Sequence, residues 1–203
     1  MEQQTVNHIT LTGNLASAPA FSHSNHGRRF DSFWLEVARL SGAVDRLQIL
    51  APEELLAATE VREGDALQIE GQIRSYNNRS PNGRRLIISV LAESVQVTDA
   101  PHDNRVTLQG IICKDPTYRR TPLGREITDV MLAVNRPYHR ADYLPCILWG
   151  RCAQEVAAYP VGTPLFLTGR LQSRAYIKVT DGVAEERTAY EISAITAELA
   201  ELP

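Results

Sequence analysis

The sequence predicts an all-β protein, mainly β with one short helix per domain, built as two tandem copies of a five-stranded unit. Three observations carry that prediction. First, Thr10-Leu11-Thr12-Gly13 returns as Thr107-Leu108-Gln109-Gly110, an offset of 97. At the same offset Asn7, Pro19, Gly27, Val37 and Arg39 return as Asn104, Pro116, Gly124, Val134 and Arg136, and one residue later Gly64 and Gly71 return as Gly162 and Gly169. Second, a period of about 100 residues indicates whole duplicated domains, because solenoid units are far shorter. Third, each copy holds several runs of period-2 alternation and only one helical pattern.

In the first copy, residues 6–15 alternate apolar and polar, the mark of a half-buried strand. Residues 30–37 are rich in aromatic and β-favouring types, and residues 47–50 form a third short run. Residues 52–61 read as a helix: Pro52 opens it, Glu53 and Glu54 occupy the first turn, and Leu55, Leu56 and Ala58 follow. Gly64-Asp65 then turns the chain into strands over 66–75 and 86–97, separated by the hairpin signal Asn82-Gly83. The second copy repeats this order with strands over 105–113, 126–134 and 144–149, a helix over 152–159 stopped by Pro160, and strands over 164–179 and 188–197 around Asp181-Gly182. Five strands with a helix between the third and fourth is the order of an OB-fold, a partly open Greek-key barrel. The expected architecture is therefore two tandem OB-fold five-stranded Greek-key barrels: a first domain over 1–98, a short polar linker over 99–103, and a second domain over 104–203.

Composition is that of an ordinary globular protein, 43% hydrophobic and 22% charged. No apolar run approaches the ~18 residues that span a bilayer. Met1-Glu2-Gln3-Gln4 lacks the regions of a signal peptide, so the expected location is cytoplasmic, away from membranes. Cys113, Cys146 and Cys152 form no metal-binding spacing and read as buried reduced thiols. Five histidines likewise lack partners at ligand spacing, and no nucleophile–base arrangement or phosphate-cradling loop is present. The expectation is a chain without enzyme activity, cofactor or metal. The net charge of −3 divides unevenly, with −4 on residues 1–103 and +1 on residues 104–203.

Several ordered segments resemble bacterial single-stranded-DNA-binding proteins and the related primosomal replication protein N. They are Asn104-Arg105-Val106-Thr107-Leu108-Gln109-Gly110, Asp115-Pro116, Leu132-Ala133-Val134-Asn135-Arg136, Ile147-Leu148-Trp149-Gly150-Arg151, Gly162 and Gly169-Arg170-Leu171-Gln172-Ser173-Arg174. The resemblance covers residues 104–197 closely and residues 7–97 less sharply. It implies OB-fold domains, assemblies presenting four of them, and non-catalytic binding of single-stranded DNA. With two domains per chain, a homodimer would supply the four. Family members carry a long tail ending in an acidic, apolar tip. Here the sequence stops soon after the last strand, so a specialised, mobile-element or primosome-type version is expected.

Such binding needs aromatic rings that stack on bases of any identity and cations that neutralise phosphates. Carried over position by position, the resemblance assigns stacking to Tyr138, Tyr143, Trp149 and Tyr176, all aromatic in the second copy. It assigns phosphate contact to Arg136, Arg151, Arg170 and Arg174. Lys178 falls on the same side of a strand as Tyr176, and Arg119 and Arg120 are read as lying in the loop after the second copy's first strand. Any of these arginines can instead pair with a carboxylate such as Asp142 or Glu126. The first copy has Ser41, Arg46, Pro52 and Asn78 at or near the stacking positions, with Tyr76 as a local substitute. Trp34, inside Phe33-Trp34-Leu35, reads as core or subunit contact. Arg28-Arg29 lie in the corresponding loop, and Arg79, Arg84 and Arg85 decorate the first hairpin. The first domain is thus expected to act as scaffold or interface and the second to hold the DNA. The rival reading is a primosome- or recombination-type protein-interaction module with weak nucleic-acid binding, favoured by the acidic first half and the short tail.

Overall fold

A computed structural model describes residues 6–78, 86–180 and 182–201. The first half contains β1 (Asn7–Leu15), β2 (Ala20–Asn25), β3 (Arg28–Ala38), β4 (Val44–Pro52), α1 (Glu53–Thr59), β5 (Ala66–Asn77) and β6 (Leu86–Val97). The second contains β7 (Asp103–Ile112), β8 (Thr117–Arg120), β9 (Glu126–Arg136), β10 (Arg140–Trp149), α2 (Gly150–Val156), β11 (Pro164–Thr180) and β12 (Val183–Leu199). Strands β1, β3, β4, β6 and β5 close into a ring, as do β7, β9, β10, β12 and β11. Among the described residues only β4–β6 and β10–β12 pair in parallel. This is the OB-fold ring in both halves.

Alternation explains why these segments are strands. On β4, Asp45, Leu47, Ile49 and Ala51 point inward and are buried, while Arg46, Gln48 and Leu50 lie between them on the outer face. Each ring is filled by such residues, with Ile9, Leu35, Ile49, Ile69 and Val90 in the first and Leu108, Leu132, Leu148, Leu167 and Ile192 in the second. Leu56 of α1 and Ala153 and Val156 of α2 are buried against them. The recurring glycines mark places where backbones approach too closely for a side chain. A Cβ on Gly71 would stand 2.1 Å from the Leu91 carbonyl oxygen, and one on Gly169 would stand 2.4 Å from that of Ser193. Both sit at register shifts that bend the strand around its barrel.

Two strands were not legible as such. β2 is exposed along its whole length and β8 likewise, so neither carries alternation. As a consequence Arg119 and Arg120 lie in β8, and Arg28 and Arg29 in β3, rather than in loops. The β2–β3 turn has positive φ at both His26 (48°) and Gly27 (78°), the backbone a two-residue hairpin turn requires. The Asn82-Gly83 turn, Asp181, and Arg79, Arg84 and Arg85 lie outside the described residues.

The two barrels form one continuous sheet. β1 pairs antiparallel with β7 from Asn7↔Leu108 to Thr12↔Asp103, while its last residues return to β3. Two reciprocal buried clamps reinforce the joint. Asp45 of the first barrel accepts the Ser173 backbone N–H at 2.7 Å and the Ser173 hydroxyl at 3.0 Å, and pairs with Arg39 at 2.5 Å. Asp142 of the second accepts the Ser75 N–H at 2.7 Å and faces Arg74 at 3.2 Å and Arg136 at 3.4 Å. Both aspartates are essentially fully buried. The residues involved are themselves repeats: Arg39, Asp45 and Ser173 in one clamp match Arg136, Asp142 and Ser75 in the other.

Candidate nucleic-acid interface

The outer face of β9, β10, β12 and β11 follows directly from register. Tyr143 opposes Ala133, and Ile147 opposes both Asp129 on β9 and Ser193 on β12. Ser193 in turn opposes Arg170 on β11. Residues two apart share a face, which adds Trp149, Glu191, Gln172, Arg174, Tyr176 and Lys178. The structure therefore brings Tyr143, Trp149, Tyr176, Arg170, Arg174 and Lys178 onto one surface of the second barrel. The three rings remain 46%, 38% and 37% exposed. Tyr138 stands 90% exposed on the β9–β10 turn, where Tyr138 and His139 both adopt positive φ (63° and 54°).

The rings are held in place. The indole N–H of Trp149 donates to the Ser193 hydroxyl at 3.0 Å, tying β10 to β12 across the parallel pair. The Tyr143 backbone N–H donates to the Ser75 hydroxyl of the first barrel at 2.7 Å. The Arg174 guanidinium lies 6.0 Å from the Tyr176 ring centroid, so one ring and one cation are presented together. On the opposite side of the β11–β12 hairpin, the Tyr190 hydroxyl donates to the Arg46 carbonyl at 3.1 Å. The first barrel thus braces β10 and β12 of the second.

The cations divide into three groups. Arg170 and Lys178 have no ion-pair partner among the described residues. Arg174, Arg119, Arg120 and Arg151 are exposed and paired: Arg174 with Glu191 at 3.5 Å, Arg119 with Asp129 at 2.5 Å, Arg120 with Glu126 at 3.1 Å and Arg151 with Glu155 at 2.8 Å. Arg136 belongs to the Asp142 clamp between barrels, which turns it from the outer face toward the joint. Glu191 is the unexpected member. Its side chain is only 13% exposed in the middle of the aromatic face. Burial pushes its carboxyl above the ordinary range, Arg174 pulls it back, and Asp129 adds repulsion.

Of the two readings of Trp34, core and subunit contact, the geometry excludes the core. Phe33 and Leu35 are buried at 2% and 0%, whereas Trp34 between them is half-buried and points to the outer face of the first barrel. The Arg46 guanidinium lies 5.4 Å from its ring centroid. The three cysteines are free, Cys146 buried and the other two half-buried, and burial raises the thiols of Cys146 and Cys113. Among the described residues no three His, Cys, Asp or Glu side chains gather as metal ligands. No helix among them is long and apolar enough to cross a membrane.

The sequence model of the single-strand binding protein family matches residues 103–200. "Single-stranded DNA-binding protein B" of Bacillus subtilis is 39% identical over 80 residues, covering 36% of this chain and 71% of that protein. The "Single-stranded DNA-binding protein" of Deinococcus radiodurans is 25% identical across 95% of this chain and 75% of its own length. Other curated relatives are matched over about half of their length, such as that of Halalkalibacterium halodurans at 48%. In fold, the crystal structure of the single-stranded DNA binding protein from Thermus aquaticus superposes with a TM-score of 0.80 at 20% identity, covering 99% of this chain and 96% of that one. The chain belongs to the single-strand binding protein family.

Proposed function

We propose that this chain binds single-stranded DNA without catalysis and largely without regard to sequence, chiefly through the outer face of its second barrel. The observation that carries the reading is the convergence of Tyr143, Trp149 and Tyr176 with Arg170, Arg174 and Lys178 on that one face. Unpaired bases stack on the rings whatever their identity, each ring contributing roughly 1–3 kcal/mol, while the cations neutralise phosphates. Tyr138 reaches out from the adjoining turn and Arg119 and Arg120 flank the far edge, extending the track. The first barrel serves mainly as scaffold. It lacks rings at the family positions and braces β10, β11 and β12 through Ser75, Asp45 and the Arg46 carbonyl respectively. A homodimer of such chains presents four barrels, and replication, recombination and repair are the settings in which bare single strands arise.

The acidic first half and the groove carboxylates Glu191 and Asp129 favour a second reading, a protein-interaction module that binds nucleic acid weakly. One titration separates the two. A dT oligomer is added to the full chain at low and then moderate salt, with tryptophan fluorescence and gel mobility recorded. DNA binding gives quenching, a mobility shift and an affinity that falls steeply with salt. Unchanged emission with no shift supports the interaction module instead.

A further inference from the structure

The first barrel carries rings of its own: Trp34 on β3, a strand without a family position, and Tyr76 on β5, two residues before the family position at Asn78. Trp34 lies on β3 opposite Gln48 of β4, on the outer face of the ring. Its counterpart in the second barrel, at the offset of 97, is Met131. Tyr76, 52% exposed, follows Arg74 on the outer face of β5, where the second barrel has Arg174. Arg46 sits over the Trp34 ring and supplies a cation beside it. Between the two rings the outer face carries Gln48, opposite Trp34, and Ser89 and Ile87 of β6, while half-buried Leu50 and Leu91 lie beyond Trp34.

The charge of this face differs from that of the barrel as a whole. Ser32 and Ser89 occupy the positions of Asp129 and Glu191, the two carboxylates of the second face. The carboxylates that remain on this side are Glu36, directly opposite Arg46, and Glu93, which accepts from Gln72, while Glu53 and Glu54 pair with Arg29 and Arg28 beside the helix. Ser89 is buried with its hydroxyl oxygen unpartnered among the described residues. The face offers two rings and the Arg46 guanidinium over Gln48 and Ser89, and rings with a cation beside them are what a sequence-tolerant platform for unpaired bases requires.

We infer that Trp34, Arg46 and Tyr76 form a second stacking platform for single-stranded nucleic acid on the first barrel. It engages a strand long enough to leave the second barrel and cross the joint. The inference rests on the proposed function, and its failure is separable from the failure of that reading. With only two tryptophans in the chain, Trp149→Phe leaves Trp34 as the sole reporter and Trp34→Phe leaves Trp149. Each variant is titrated with dT oligomers of about 10 and about 30 nucleotides, since one OB barrel occludes roughly 4–16. The expected result is quenching of Trp34 by the longer oligomer, and of Trp149 by both. Trp34→Ala and Arg46→Ala should each weaken binding of the longer oligomer roughly 5- to 150-fold and leave the shorter one unaffected. Trp149 responding while Trp34 stays silent, with unchanged affinity in both alanine variants, overturns the second platform and leaves the proposed function standing. Silence of both tryptophans, with no mobility shift, removes the proposed function itself. Trp34 emission that changes with protein concentration in the absence of DNA would reassign the face to contact between copies.

Discussion

Asp142→Ala tests how firmly the two barrels are locked. The carboxylate is fully buried, accepts the Ser75 N–H at 2.7 Å, and faces the guanidinium groups of Arg74 and Arg136 at 3.2 and 3.4 Å. Removing it strands a buried backbone donor and leaves two arginines facing one another. Burial already lowers the Arg74 pKa, and the nearby Arg136 lowers it further. Breaking a buried pair by deleting one partner typically costs about 3–5 kcal/mol. Here the arginine side chains retain 18% and 28% exposure, so water solvates part of the orphaned charge and the lower end applies, about 3 kcal/mol. For a chain of this size that corresponds to a fall in melting temperature of roughly 6–12 °C. The assay is thermal unfolding by circular dichroism, repeated for Asp142→Asn, which keeps an oxygen for the Ser75 N–H and should lose less. The Asp45→Ala variant should behave similarly, because Asp45 holds Ser173 and Arg39 in the matching arrangement. A loss below about 1 kcal/mol in both alanine variants would refute the argument that these clamps fix the barrel–barrel joint.

Other consequences concern the groove and the strand crossings. Glu191 has a raised folded pKa, so its charged form is disfavoured above that pKa, and the penalty is relieved as pH falls through it. A bound phosphate chain nearby disfavours the carboxylate further. DNA affinity measured by fluorescence should therefore rise as pH is lowered from 8 toward the raised Glu191 pKa, and Glu191→Gln should bind more tightly at neutral pH and lose most of that dependence. Arg170→Ala and Lys178→Ala should each reduce the salt slope of binding by about 1. Arg136→Ala should leave the slope unchanged, because that guanidinium belongs to the Asp142 clamp. Gly169→Ala should destabilise by about 1–3 kcal/mol in denaturant titration, because the added Cβ meets the Ser193 carbonyl at 2.4 Å.

The duplication was legible because the glycines that recur at Gly13 and Gly110, and at Gly71 and Gly169, are places where strands touch. Cβ atoms there would collide with carbonyls of β3, β6, β9 and β12. The aromatic face was legible through the ordered segments of residues 132–176. Strands exposed on both sides were not, because alternation records a buried face and β2 has none. Trp34 escaped for the opposite reason. Three apolar residues in succession hide which of them points outward, and only the pairing with Gln48 resolves it. Pairing of Arg136 with Asp142 was among the expected alternatives, but that the pair also holds Ser75 and Arg74 of the other barrel is a coupling that sequence spacing does not contain.

Ultraviolet cross-linking of a bromouracil-substituted dT oligomer to the full chain, with the linked residues identified by mass spectrometry, tests the central claim most directly. The expected adducts fall on Tyr143, Trp149 and Tyr176 of the second barrel's outer face. Adducts confined to other surfaces of the chain, or none under conditions where the oligomer is bound, would contradict it.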